Sequence, residues 1–316
     1  MQRKEEPDTL TEIIGYLRAM LIVLSNAVVM AVFRRLPNSK RSTSIFFGQL
    51  SVSGLVLGVG FLVQTLLYSF AVPVSRTACA ILIAARQSTV GVYTANLIFI
   101  YAELYLGLRR MRPGRPVFTR RSALVAVVVA WLVCLVGNGF GVLFAIRKSD
   151  AGDACRPVVT FEFHFLLLIE VLWAAAIVLL VFLHGLSYAI LKRLLRARNS
   201  QPAVADAAAS SRRVWIERQQ SGLNMIVWVM ATASTCWGFV VVKRFVILFC
   251  LRCLDEVPVF LLVLSRISFV VPVLSNGIIY LCRSRAFRSA CKKVFLRYNR
   301  VPTTLETVGT SVQLNS

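Results

Sequence analysis

Residues 161–190 read FEFHFLLLIEVLWAAAIVLLVFLHGLSYAI, and beyond Glu162 the stretch carries one charged side chain, Glu170. At about 1.5 Å of rise per residue, a helix over this run is longer than a hydrocarbon core roughly 30 Å thick. A soluble domain has no interior wide enough to cover such an element on every face, so the run predicts a membrane-spanning helix.

Working outward, stretches of the same kind lie near 13–34, 44–70, 77–106, 122–146, 222–251 and 257–282, which makes seven spans with 161–190. The segments between them carry turn and loop signals: Leu36-Pro37-Asn38-Ser39, Arg112-Pro113-Gly114-Arg115-Pro116, Ser149-Asp150-Ala151-Gly152-Asp153, and an Ala/Ser-rich stretch from Asn199 to Ser211 read as a mobile loop. The expected fold is therefore an all-α, seven-transmembrane-helix bundle. Residues 1–12 form an extracellular N-terminus, 13–282 the seven-helix domain, and 283–316 an amphipathic helix with a cytoplasmic tail. The first apolar segment is long enough to span and is expected to remain as a signal anchor, leaving the whole chain as the mature protein.

Composition agrees: 57% of the 316 residues are hydrophobic and 16% charged, with mean hydropathy +0.72. The net charge of +22 would suggest nucleic-acid binding if it formed a stripe on a soluble domain. Here the basic residues fall between apolar segments, and no nucleic-acid partner is expected. The loops at 34–43, 107–121 and 191–221, with the tail after 282, hold about 24 of them, against about 7 in the N-terminus and the alternate loops. Positive loops stay in the cytoplasm, so the N-terminus is expected outside and the C-terminus inside a multi-pass plasma-membrane protein.

Cys79 opens the third apolar segment and Cys155 lies between the fourth and fifth, both on the expected outer side, where a disulfide is feasible and two free thiols are the alternative. From Cys79 the third segment runs to Glu103-Leu104-Tyr105, followed by Arg109 and Arg110. With Asn26 in the first segment, Trp131 in the fourth, Tyr188 near the inner end of the fifth, Cys236-Trp237 in the sixth and Asn276-Gly277-Ile278-Ile279-Tyr280 closing the seventh, this pattern resembles the rhodopsin-like (class A) G-protein-coupled receptors. The stretches Cys79–Ile83 and Ala102–Tyr105 are also similar to fish-type odorant receptors. After Tyr280, the basic stretch Arg283–Phe295 resembles the short membrane-surface helix that follows the seventh span in the family, with Cys282 and Cys291 as plain thiols or acylation sites.

The resemblance implies a small-molecule ligand, a heterotrimeric G protein and the lipid bilayer as partners, and no cofactor. It also exposes departures. Leu104 stands where the family has Arg, Gly54 where the second helix usually has Asp, and Phe239 and Gly277 where the sixth and seventh helices have prolines. Leu104 and Gly54 can supply neither a charge nor a chelating atom. Glu103 is left without a partner in its own triplet, with Arg109 or Arg110 as possible cations.

Charged side chains inside spans are costly and point to function. Arg86, two turns below Cys79, and Arg266, ten residues before Asn276, are read as anchors for an anionic molecule, helped by Lys243 or Arg244. Glu170 can take one of these cations for itself; in the alternative, Arg86 pairs with Glu170 while Lys243 and Arg244 snorkel to the headgroups. Tyr93, Thr94, Trp237 and Phe239 are candidate cavity walls that could equally be packing.

No carboxylate pair, nucleophile with base, or phosphate-binding glycine loop has the spacing that chemistry requires, so no enzyme is expected, and His164 and His184 read as isolated packing residues. Cys250 and Cys253 suit a small disulfide loop better than a metal, which would need two further ligands near His164 alone. The absence of any repeat argues against a transporter. The expected mechanism is a population shift, in which an occupied outer cavity favours one arrangement of helices three, five, six and seven and opens a cytoplasmic cleft. Arg109, Arg110, Arg120 and Arg121 would then face the partner or simply retain the loops inside. A divergent receptor that binds ligand without G-protein signalling is the second reading.

Overall fold

A computed structural model of the chain describes residues 9–35, 42–70, 74–110, 117–147, 161–199, 207–250, 259–283 and 285–298. These residues form α1 (Thr9–Arg34), α2 (Ser42–Ser69), α3 (Arg76–Arg110), α4 (Arg120–Arg147), α5 (Phe163–Asn199), α6 (Ala207–Phe249), α7 (Val259–Arg283) and α8 (Arg285–Tyr298), with no strand among the described residues. Helices α1 to α7 are each long and apolar enough to cross a membrane.

The helices pack in a ring. Neighbours in sequence lie side by side from α1 to α4 and again from α5 to α7, and α7 closes onto α1. Helix α3 runs through the middle, touching α2, α4, α5 and α6. Burial follows this placement: half of the most apolar window of α3 is buried (50%), against 17% in α4. The outer faces of α4 and α5 expose Val125, Val128, Leu132, Val133, Val136, Leu172, Val178 and Phe182. So broad an apolar surface is stable only with lipid around it, and the chain is a multi-pass membrane protein.

The Ala/Ser-rich stretch read as a loop from Asn199 to Ser211 is shorter than that, because α6 already begins at Ala207. Ala207, Ala208 and Ala209 are strong helix formers, and their propensity outweighs the polar composition that suggested a loop. Helix α5 likewise continues to Asn199, and at 37 residues it spans about 55 Å, well beyond the hydrocarbon core. The other expected loop signals, at 36–39, 112–116 and 149–153, lie outside the described residues.

Helix α8 follows α7 and packs against both α1 and α7. It buries Phe287 and Ala290 while Arg288, Lys292 and Lys293 stay exposed. Arg288 donates to the carbonyls of Leu281 (3.0 Å) and Cys282 (2.8 Å), capping the end of α7. Phe287 joins Tyr280, Phe33 and Phe47 in one aromatic cluster: Phe33 and Phe47 each have centroids 5.4 Å from Tyr280, and Phe287 lies 5.7 Å from it. The tyrosine that closes the seventh-helix motif thus serves as the joint of four helices.

Candidate ligand site

The half of the bundle that holds the start of α1 is called outer here, after the expected orientation. In that half, six helices each turn a cation, an aromatic ring or a polar group toward a shared region. The spacing that brings them there is helical: Phe61 and Gln64 are three apart on α2, Glu170 and Trp173 three apart on α5, Ser265 and Phe269 four apart on α7.

Arg244 reaches Glu170 at 2.6 Å, and the carboxylate is almost fully buried. Arg244 rather than Arg86 is therefore the cation that Glu170 takes. Lys243 donates to Ser265 Oγ at 2.6 Å, so both α6 cations turn inward instead of snorkelling to headgroups. The Arg244 guanidinium also lies 5.2 Å from the Trp173 ring and 6.0 Å from Phe269. Desolvated contacts of this kind contribute about 2 kcal/mol or more each.

Arg86 has no acid beside it among the described residues. It donates to the neutral Gln64 Oε1 at a long 3.4 Å and sits 5.9 Å from the Phe61 ring and 6.0 Å from Phe269. Arg18 of α1 lies 4.2 Å over the same Phe61 ring. Arg86 feels the like charges of both Arg244 and Arg18, and Arg18 that of Arg266. Arg266 itself is exposed, and its charge acts on Lys243. Arginine and aromatic ring thus alternate across the bundle, from Arg18 through Phe61, Arg86, Phe269 and Arg244 to Trp173.

Arg18 was not among the residues singled out from sequence, nor were Phe61, Gln64, Trp173, Ser265 and Phe269. Arg18 could have been: it lies inside an apolar span, three residues after Gly15 and four before Ile22, both on the buried face of α1. The others have only apolar or neutral neighbours to mark them, and nothing in their local pattern separates them from packing.

Below this region the core is knotted by neutral hydrogen bonds. Trp237 is buried, its Nε1 donates to the Phe269 carbonyl (3.4 Å), and Tyr93 meets it edge-on at 5.0 Å. The Tyr93 hydroxyl accepts from Asn276 Nδ2 at 2.6 Å and donates to the Pro272 carbonyl at 3.3 Å. Tyr93 is therefore a floor beneath the cations, and Thr94 turns back onto its own helix at Val90. Pro272 also shows where α7 keeps a proline despite Gly277: one and a half turns earlier, where its missing N–H frees the Ser268 carbonyl. Asn26 fills the space that Gly54 leaves open; a Cβ on Gly54 would stand 2.4 Å from Asn26 Oδ1.

At the inner end, Glu103 accepts a hydrogen bond from Ser42 of α2, Leu104 beside it is buried, and Arg109 is exposed. Tyr105 is half-buried. The Tyr101 hydroxyl lies 3.3 Å from both His184 Nδ1 on α5 and the Ile226 carbonyl on α6. His184, read as isolated, in fact meets the Tyr101 ring edge-on at 5.8 Å and stacks on Tyr188 at 6.5 Å, while Tyr188 itself is exposed.

Residues 25–280 match the family described as 7 transmembrane receptor (rhodopsin family). The chain belongs to that family. In this rhodopsin-family receptor Cys134, Cys236, Cys282 and Cys291 are free thiols, and Cys79 and Cys250 are the described ends of the two expected disulfides. Cys155 and Cys253, the expected partners, lie outside the described residues, as do the side chains of Arg110 and of the start of α6.

Proposed function

We propose that this receptor senses a small organic anion, an odorant or a metabolite, in the outer half of its helix bundle, and that it is a receptor and not an enzyme. The observation that carries the reading is charge imbalance: Arg18, Arg86 and Arg244 lie against aromatic walls, with Lys243 on Ser265 and the exposed Arg266 close enough to act on Arg18, and Glu170 is the acid among the described residues there. Cations held in low dielectric without counter-charge are costly, and an anionic ligand offsets that cost. Bidentate guanidinium contacts then give orientation as well as affinity.

The orientation expected from the basic loops puts this cavity outside the cell and α8 in the cytoplasm of the plasma membrane. A Cys79–Cys155 bridge would tie the top of α3 to the loop before α5, and a Cys250–Cys253 bridge would close the end of α6. The signalling partner in this reading is a heterotrimeric G protein. A receptor that binds its ligand without activating a G protein is the second reading; the buried Leu104 and the Ser42 bond to Glu103 favour it, because the inner end lacks the arginine that the family's triplet supplies.

Expression in cells with a panel of small organic acids and odorants, read as G-protein nucleotide exchange, tests the first reading. Responses to acids that are lost in Arg86→Ala and Arg266→Ala are expected. Equal responses in both variants would remove the cationic cavity, and silence with confirmed surface expression would favour the second reading.

A further inference from the structure

We infer that Arg18 and Arg86 form a two-pronged seat for one carboxylate, and that the ligand class is a small organic monocarboxylate with an apolar body. This rests on the reading of the outer half as an anion site and names where in it the anion sits. Three of the cations there are accounted for in other ways. Glu170 already neutralises Arg244, Lys243 is held by Ser265, and Arg266 is exposed at the rim.

Arg18 and Arg86 differ from these. Their guanidiniums lie against one ring, at 4.2 and 5.9 Å from the Phe61 centroid, so they are at most the sum of those two distances apart. Each has a buried Nε with no acceptor among the described residues. Among the described residues, the hydrogen bond of Arg86 goes to the neutral Gln64 amide at 3.4 Å, which is too long and too weak to balance a charge. Glu12, on the same helix as Arg18, lies six residues earlier and so on another face. Two like charges brought together from α1 and α3 repel strongly in low dielectric. The two oxygens of a carboxylate, one toward each fork, would satisfy both and displace Gln64.

The apolar body follows from the walls. Phe61 meets Phe269 edge-on at 6.0 Å, so a carboxylate seated over Phe61 leaves the rest of the molecule against aromatic carbon. A second anionic group near Phe269 would meet Arg244, whose charge Glu170 already neutralises through Nη1.

The full-length receptor in lipid nanodiscs, followed by its thermal midpoint, decides the matter. Benzoate and decanoate present the same group from solution and from the bilayer, and benzamide is the neutral control. A rise with at least one carboxylate and none with benzamide is expected for the wild type, the stronger of the two acids telling from which side the ligand arrives. Arg18→Gln and Arg86→Gln should each raise the midpoint without ligand, because the repulsion is relieved, yet weaken carboxylate binding at least ten-fold. The double variant should lose little more than either alone, since both arginines hold one group. Arg18→Lys keeps the charge without the fork and should give an intermediate shift, which guards against a variant that merely misfolds. A carboxylate shift that survives Arg18→Gln but vanishes in Arg244→Gln or Arg266→Gln would overturn the seat and leave the anion site standing. No shift in the wild type with either acid would overturn both.

Discussion

The two ends of this bundle handle polarity in opposite ways. Toward the outer end, the guanidiniums of Arg18, Arg86 and Arg244 lie against aromatic faces, and Glu170 pairs with Arg244. Toward the inner end, neutral contacts prevail: Ser42 on Glu103, the Tyr101 hydroxyl between His184 and Ile226, and Tyr280 among phenylalanines. Buried charge without a partner is costly: the outer end gathers several cations of like sign, whereas the inner end holds the buried acid Glu103, whose Oε1 accepts from Ser42 while its Oε2 has no partner among the described residues. In the proposed reading, ligand recognition lies where the charge is unbalanced. The neutral contacts also explain how the helices can stay closed at the inner end without an arginine at position 104.

The largest effect should come from breaking the ion pair between Glu170 and Arg244 at the outer end. Glu170→Gln leaves Arg244 buried among like charges, and a loss of roughly 3–5 kcal/mol is expected. The thermal midpoint of the purified receptor reads this directly. Adding Arg244→Gln to the same chain should recover most of the loss, and no recovery would mean that the pair is not what stabilises α5 against α6.

A smaller effect is expected at the level between the two ends. Gly54→Asp places a Cβ 2.4 Å from Asn26 Oδ1, so the side chains must shift at a cost of about 1–3 kcal/mol. Surface expression should fall, and the companion change Asn26→Gly should restore it. If Gly54→Asp is silent alone, α1 and α2 are less closely packed there than the geometry requires.

The smallest belongs to the inner end. Tyr101→Phe removes the hydroxyl that joins α3 to α5 and α6 at 3.3 Å on each side, worth about 1–2 kcal/mol. Relaxing that joint should raise ligand-independent nucleotide exchange several-fold. An unchanged basal rate would show that the inner end is closed by packing alone.

The spans were legible in the sequence because apolar length is a property of each segment by itself, and residues such as 161–190 cannot be covered except by lipid. Arg86, Glu170, Lys243 and Arg244 stood out for the same reason: a charge in an apolar run marks its own position. Their partners did not, because pairing depends on how far α3, α5 and α6 are rotated about their axes, and periodicity leaves that open. Thus the sequence pattern allowed either arginine for Glu170, and packing chose Arg244. Phe61 and Phe269 were hidden among other aromatics, and they gain meaning only because three guanidiniums lie against them. At the inner end the missing arginine was plain at Leu104, while the compensating Tyr101 to His184 contact joins residues 83 apart in sequence.

In the proposed reading the outer end is short of negative charge and takes it from a ligand. Calorimetric titration of the full-length receptor in nanodiscs with phenylacetate and with phenylacetamide, two molecules of nearly the same shape, tests it most directly. The account predicts that the acid binds at least ten-fold more tightly than the amide, which corresponds to about 1.4 kcal/mol. Equal affinity, or tighter binding of the amide, would contradict it.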